Sequence, residues 1–249
     1  MKRQIMVVTG AYGADNVRRH GGQAALLPLI AAAGADGVEI RRELFTAGEL
    51  ADLPALARAI AQHRLCAVYS APEALFTPQH RINPNLPALL REAHSLNARR
   101  LKLSAGHFQP GFDFSALRSL LAQSPVELLV ENDQTADCGT QPLIESFFQA
   151  AAQTLPVAMT FDMANWRWVD ENPFDAAAAL ARHVGYIHVK AAARDARGWH
   201  AVALDDSDGS WRDLLALLPT NAPLGIEFPL QGDDLTAVTR HYINLLRAE

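Results

Sequence analysis

The sequence predicts a single (β/α)8 TIM barrel spanning residues 1–249, and three observations carry that prediction. Short, nearly continuous apolar runs alternate eight times with longer amphipathic or Ala/Leu-rich stretches, the pattern of parallel strands covered on both faces. The chain has 249 residues, the length of one such barrel. The rival architecture, an open doubly wound sheet, would be favoured by a Gly-x-Gly-x-x-Gly loop after the first strand. The run Thr9-Gly10-Ala11-Tyr12-Gly13-Ala14 lacks that spacing.

Taken in order, the predicted strands are Ile5–Thr9, Gly37–Ile40, Leu65–Ala71, Arg100–Ser104, Val126–Glu131, Val157–Asp162, Val184–Lys190 and Leu224–Phe228. The predicted helices between them are Gly22–Ala33, Leu53–Gln62, Pro84–Leu96, Phe114–Gln123, Pro142–Thr154, Pro173–Arg182, Ser210–Leu218 and Asp233–Leu246. Several begin on Asp, Asn, Ser or Pro, residues that satisfy or do without the free amides of a first turn. Pro84, Pro142 and Pro173 sit where a missing donor costs little. The longest irregular piece, Ala191–Gly209, follows the seventh strand, at the end of a barrel where loops carry substrate contacts; a tolerated surface insertion is the equal alternative.

Composition narrows the function classes. With 22 basic and 27 acidic residues the formal charge is −5, which argues against a nucleic-acid binder working through phosphate neutralisation. No apolar run approaches the roughly 20 residues of a membrane span, and the five apolar residues after Met1-Lys2-Arg3-Gln4 are too few for a secretory leader. Cys66 and Cys138 form no disulfide framework and no Cys-x-x-Cys pair. Cys66 reads as core packing and Cys138 as a loop residue. A reducing cytoplasm is the expected location.

The fifth to eighth strands each end in an ionisable residue: Glu131, Asp162, His188 and Glu227. Their separations correspond to about one βα unit each, so a closed barrel places them on neighbouring strands at the carboxyl rim, where active sites of this fold sit. Three carboxylates converging there would repel one another and raise each other's pKa. One divalent metal ion removes that penalty. Three oxygens and one imidazole suit Mn²⁺ first, then Mg²⁺ or Co²⁺, with Zn²⁺ less typical. Four solvated rim charges are the plain alternative. Lys190, two residues after His188 on one strand, faces the same way at another height, either toward the site or paired with an interior carboxylate.

The strings Val130-Glu131-Asn132-Asp133-Gln134, Phe161-Asp162-Met163-Ala164-Asn165-Trp166, Ile187-His188-Val189-Lys190 and Ile226-Glu227-Phe228-Pro229 resemble the xylose-isomerase-like superfamily of sugar (phosphate) isomerases and epimerases. Within it, Glu131-Asn132-Asp133-Gln134-Thr135, Met159-Thr160-Phe161-Asp162 with Asn165-Trp166-Arg167-Trp168, and Pro229-Leu230-Gln231-Gly232-Asp233-Asp234 most resemble the epimerases linked to ketogluconate utilisation. The resemblance implies a metal held by Glu131, Asp162, His188 and Glu227. It also implies that Glu131 and Glu227 act as acid and base on the carbon beside a ketone. Arg194, six residues after His188, stands where the ketose 3-epimerase branch has an arginine contacting substrate oxygens. Asn165 replaces that branch's histidine. Ala191 replaces an aspartate frequent after His-x-Lys, which argues against a multi-metal site. A metal chelating the carbonyl stabilises an enediolate, and a glutamate on each face lets a proton leave one side and return to the other. Proton transfer between adjacent carbons gives isomerisation with the same parts.

Further substrate-binding candidates carry alternatives. Glu39, ending the second strand, either hydrogen-bonds substrate or Lys102, or makes a structural rim pair. Lys102 points into the barrel, toward a substrate carboxylate or phosphate or toward a structural partner. Trp166 and Trp168 form either a sugar-stacking wall or core. Arg41, Arg42 and Arg167 are anion-binding candidates. His107, after strand four, lines the pocket or is structural. The expected partner is a sugar or sugar acid, with or without phosphate. Barrels of this kind often form homo-oligomers. Three classes compete with an epimerase or isomerase: a lyase or dehydratase using the same metal and base, an endonuclease-type hydrolase, and a non-catalytic sugar-binding barrel. The hydrolase would need extra histidines at strands two to four, whereas the third strand ends Ser70-Ala71-Pro72-Glu73. The binding barrel would lack the glutamate pair.

Overall fold

Eight parallel strands close on themselves in the order β1-β10-β7-β6-β5-β4-β3-β2, with helices between successive strands. They are β1 (Ile5–Val8), β2 (Gly37–Arg41), β3 (Cys66–Phe76), β4 (Ala98–Gly106), β5 (Glu127–Glu131), β6 (Val157–Asp162), β7 (Val184–Val189) and β10 (Leu224–Ile226). This is a computed structural model, and it describes residues 2–152 and 154–249. Met1, and Gln153 in the predicted segment Pro142–Thr154, lie outside the described residues.

The helices are α1 (Ala14–Arg19), α2 (Leu27–Ala32), α3 (Ala47–Ala51), α4 (Leu53–Gln62), α5 (Leu86–Ser95), α6 (Ser115–Leu121), α7 (Gln141–Ala151), α8 (Pro173–Leu180), α9 (Trp211–Ala216) and α10 (Leu235–Arg247). Local chemistry sets their starts. Thr46 and Glu49 form a reciprocal capping box on α3, Asp52 caps α4 and Asp234 caps α10, each side chain satisfying a free amide. The α5 start differs from the expected one: it begins at Leu86 with Pro87 in its first turn, leaving Pro84 outside. The expected helix Gly22–Ala33 is divided into a 3-10 turn, Ala24–Leu26, and α2. Helix α1 comes from a stretch too polar to show periodicity, with only Val17 buried.

The segment expected to be irregular after β7 contains an antiparallel hairpin, β8 (Ala191–Asp195) and β9 (Gly198–Val202). Cys66, expected in the core, is half-buried with its Sγ 3.6 Å from the Met6 Sδ, while Cys138 is buried. Among the described residues no helix is long and apolar enough to cross a membrane.

Strand periodicity explains how the interior changes with height. Side chains two apart share a face, so one inward column on β7 runs Tyr186, His188 and on to Lys190 just past its end, and one on β5 runs Leu129, Glu131. The lower level is apolar: Met6, Val68, Leu129 and Tyr186 pack together inside the barrel. The next level is charged, with Glu39, Lys102, Asp162 and His188 all buried. Between barrel and helices lies the larger core, which includes Val7, Val38, Leu101, Leu103, Phe161 and Ile187.

Candidate metal centre

Register brings the four strand-end residues together. Asp162 pairs with His188 across β6 and β7, and Gly225 pairs with His188 across β7 and β10, leaving Glu227 just past the strand end. One ligand atom each from Glu131, Asp162, His188 and Glu227 falls within 4.8 Å of the others. His188 Nδ1 is the hub. It lies 2.7 Å from Glu131 Oε1, 3.0 Å from Glu227 Oε2 and 4.0 Å from Asp162 Oδ2.

Each ligand is held from behind. His188 Nε2 donates to the buried Glu39 carboxylate at 2.8 Å. That carboxylate can only accept, so Nε2 keeps a proton and Nδ1 is turned to the cluster, where it is a bare ligand atom whenever the ring is neutral. Asp162 Oδ1 accepts from the amides of Ala164 and Asn165 at 2.8 Å each, which turns Oδ2 toward the cluster. The Asn132 side chain clamps the Asp162 backbone, accepting its N–H at 2.9 Å and donating to its carbonyl at 3.0 Å. Lys102 donates to Glu131 Oε2 and lies 4.0 Å from Glu39. Arg41 donates to Glu227 Oε1 at 2.7 Å and also pairs with Glu43. Lys190 sits 3.5 Å from both Asp162 and Glu227 and donates to Asn165 Oδ1 at 3.2 Å.

These neighbours set the protonation states. Burial disfavours charge on every carboxylate here, but Lys102 and His188 hold the Glu131 pKa down, and Lys190, His188 and Arg41 hold Glu227 well below the usual carboxylate range. Asp162 goes the other way: burial pushes it up, Lys190 pulls it back in part, and repulsion from Glu227 and Glu131 adds to the rise. Burial alone would lower the His188 pKa, yet Glu39, Glu227 and Glu131 raise it well above its ordinary value.

The donor set fits a divalent cation. Glu131 Oε1, Asp162 Oδ2 and His188 Nδ1 are buried, with no hydrogen-bond partner outside the cluster, although buried polar atoms are normally satisfied. With a Glu227 oxygen they lie within 4.8 Å of one another. Three oxygens and one nitrogen form a hard, mixed set suited to such an ion, and the Glu39 bond is the outer-shell contact that orients a ligating histidine.

The other expected site residues are placed as follows. Glu39 and Lys102 lie beneath the cluster, Lys190 and Asn165 beside it. Arg194 is on β8, exposed, with its guanidinium 5.7 Å from the Trp199 ring centroid, and it makes no hydrogen bond or ion pair with the cluster. Trp166 is fully buried against Phe161, at 5.5 Å between centroids, and is core rather than a sugar wall. Trp168 is the half-buried one, with Lys190 Nζ 5.8 Å from its ring centroid. His107 is half-buried after β4, its carbonyl accepting from the His80 ring at 2.9 Å. Arg42 is committed to Glu92 and Glu73. Sequence reasoning gave no role to Asn132. Its one signal is position: it follows the inward Glu131 and so takes the other face of the sheet, from which it bonds the Asp162 backbone. A cleft of about 490 Å³, lined by Arg41, Glu43, Lys190, Glu227, Phe228 and Gln231, opens above the cluster.

With this geometry in hand, similarity to solved structures is informative. A xylose isomerase domain-containing protein from Salmonella typhimurium superposes with a TM-score of 0.72 at 15% identity, covering 100% of this chain and 98% of that one. What the two share is the (β/α)8 barrel fold. Other barrels of this kind include a D-allulose 3-epimerase from Methylomonas sp. in complex with D-allulose, with a TM-score of 0.70 at 13% identity, covering 100% and 98%. A 3-keto-D-glucoside 4-epimerase from E. coli gives 0.67 at 14%, covering 100% of both chains. A protein described as a 3-DHS dehydratase also shares the fold. At these identities the xylose isomerase-like likeness is one of fold. No protein-family model matches the sequence, and no curated protein does.

Proposed function

We propose that this chain is a divalent-metal-dependent epimerase or isomerase of sugars or keto-sugar acids, moving a proton at the carbon next to a carbonyl through an enediolate. The observation that carries the reading is the placement of two glutamates about one histidine atom, with Glu131 at 2.7 Å and Glu227 at 3.0 Å from His188 Nδ1. Two carboxylates flanking one ligand centre can reach opposite faces of a planar intermediate.

When bound, the cation supplies Lewis-acid stabilisation of the charge that develops on the substrate carbonyl oxygen. The chain supplies the rest. Glu227, held ionised by Lys190, His188 and Arg41, serves as one base. Glu131, anchored by Lys102, serves as the other. One takes the proton from the carbon and the other, which its neighbours hold as a carboxylate and which therefore first takes up a proton from water in the cleft, delivers that proton to the opposite face, which inverts the centre; return of the abstracted proton to the neighbouring carbon gives the isomer. Asp162 and His188 hold geometry through Asn132 and Glu39. Lys190 and the walls of the 490 Å³ cleft bind hydroxyls and orient the reacting carbon. The sugar epimerases among the structural neighbours support this class of substrate.

The test is incubation of Mn²⁺-loaded protein with keto-sugars and sugar acids in D₂O, read by NMR. Deuterium entering the position beside the carbonyl is the expected result. Exchange accompanied by loss of water would move the assignment to a lyase. No exchange with any of them would overturn it in favour of a hydrolase or a binding barrel.

A further inference from the structure

A second, smaller cavity of about 150 Å³ lies behind Lys190, under the β8–β9 hairpin. Arg167, Trp199, Asp208, Ser210 and Trp211 line it together with Lys190. Lys190 also lines the cleft above the metal cluster, so the two spaces meet at its side chain. The cavity therefore begins one side chain away from Asp162 and Glu227.

Its donors are unspent. Arg167 is half-buried, and no ion pair among the described residues involves it; its guanidinium carbon lies 5.7 Å from the Trp199 ring centroid. Arg194 stands at the same 5.7 Å from that ring, also outside any ion pair among the described residues. The indole thus lies within cation–π reach of both guanidinium groups, and no side-chain hydrogen bond among the described residues uses their N–H groups. Trp211 is 3% exposed and its Nε1 is buried without a hydrogen-bond partner. The one acid in the lining, Asp208, accepts from the Ser210 amide and hydroxyl at 3.0 and 2.6 Å, both on Oδ1, and those bonds together with the Arg167 charge hold its pKa down; it makes no ion pair with Arg167. An aromatic wall with a guanidinium edge and a spare indole N–H, all lacking acceptors, is chemistry for an anion.

We propose that this cavity is an anion subsite in which Arg167 receives the carboxylate or phosphate at the far end of the substrate while its keto end lies at the metal cluster. The inference rests on the function proposed above only in calling the ligand a substrate. It makes Arg167 a specificity-determining residue, selecting sugar acids or sugar phosphates over neutral sugars of the same length.

The experiment is calorimetric titration of the full chain with D-gluconate, with its uncharged six-carbon counterpart D-glucitol, and with inorganic phosphate, alongside tryptophan fluorescence. Wild-type protein should bind at least one of the two anions more tightly than glucitol by about 10- to 100-fold, the worth of one charge-assisted hydrogen bond, with a change in indole emission. Arg167→Gln should erase that preference while keeping its melting temperature, its metal content and its glucitol affinity; Arg167→Lys should retain part of it. Loss of gluconate binding assigns a carboxylate and loss of phosphate binding assigns a phosphate, each supporting the subsite. No anion preference in the wild type, or a preference untouched by Arg167→Gln, would overturn it. The two proposals fail separately. Deuterium exchange into neutral ketoses without anion preference leaves the epimerase reading and removes the subsite. Arg167-dependent anion binding without any exchange does the reverse.

Discussion

Replacing Glu39 by Gln asks what the buried second-strand carboxylate is for. Glu39 is fully buried, accepts from His188 Nε2 at 2.8 Å and lies 4.0 Å from Lys102. With a carboxylate at that position the imidazole proton must sit on Nε2, and Nδ1 is free to ligate. Glutamine keeps the shape but brings an NH₂ group that can only donate. If it faces Lys102, two donors oppose each other; if it faces His188, the ring proton is driven to Nδ1 and the ligand is lost. Removing an outer-shell partner of this kind lowers metal affinity about 10- to 100-fold, or about 1.4 to 2.8 kcal/mol. Titration calorimetry of Mn²⁺ into chelator-treated wild-type and Glu39→Gln protein measures the difference, and circular dichroism checks the fold. Unchanged Mn²⁺ affinity in a folded variant would refute the reasoning and reduce Glu39 to a structural partner of Lys102.

The remaining predictions concern catalysis, linkage and packing. Glu131→Gln and Glu227→Gln should each abolish deuterium exchange while leaving the circular dichroism spectrum intact; normal turnover in either removes that residue from the acid/base role. Saturating metal at about 100 times its dissociation constant should add about 2.7 kcal/mol of stability, raising the melting temperature by roughly 5 to 11 °C, and a chelator should reverse it. A Cβ at Gly225 would fall 2.3 Å from the Tyr186 hydroxyl and 3.0 Å from His188 Cδ2, so Gly225→Ala should cost about 1 to 3 kcal/mol and weaken metal binding together. A variant melting like the wild type would contradict that packing. Trp166→Ala should cost about 3 to 5 kcal/mol in denaturant unfolding, because the ring is core; a catalytic loss at unchanged stability would restore it as a sugar wall.

The barrel was legible because apolar runs at regular spacing depend only on which faces are buried. Glu131, Asp162, His188 and Glu227 were legible for a related reason: each ends a run, and the fold's symmetry sends successive strand ends to one rim. Contacts across the interior were not. Glu39 meets His188 over 149 residues and Arg41 meets Glu227 over 186, and neither pairing follows from a strand's own pattern, which fixes the inward face but not the neighbour met there. Which of the two tryptophans is core was not legible for a local reason. Trp166 and Trp168 lie in a 3-10 turn, Asn165–Val169, where two-residue spacing does not keep side chains on one face. Arg194 was expected at the substrate by its offset from His188. The intervening residues instead enter a hairpin, whose register sets Arg194 opposite Trp199.

Diffraction from a Mn²⁺-soaked crystal, read at the metal's absorption edge, examines the central claim most directly. One anomalous peak per chain, about 2.0 to 2.3 Å from Glu131, Asp162, His188 Nδ1 and Glu227, is the predicted result. A peak elsewhere, or none at millimolar Mn²⁺, would contradict the account.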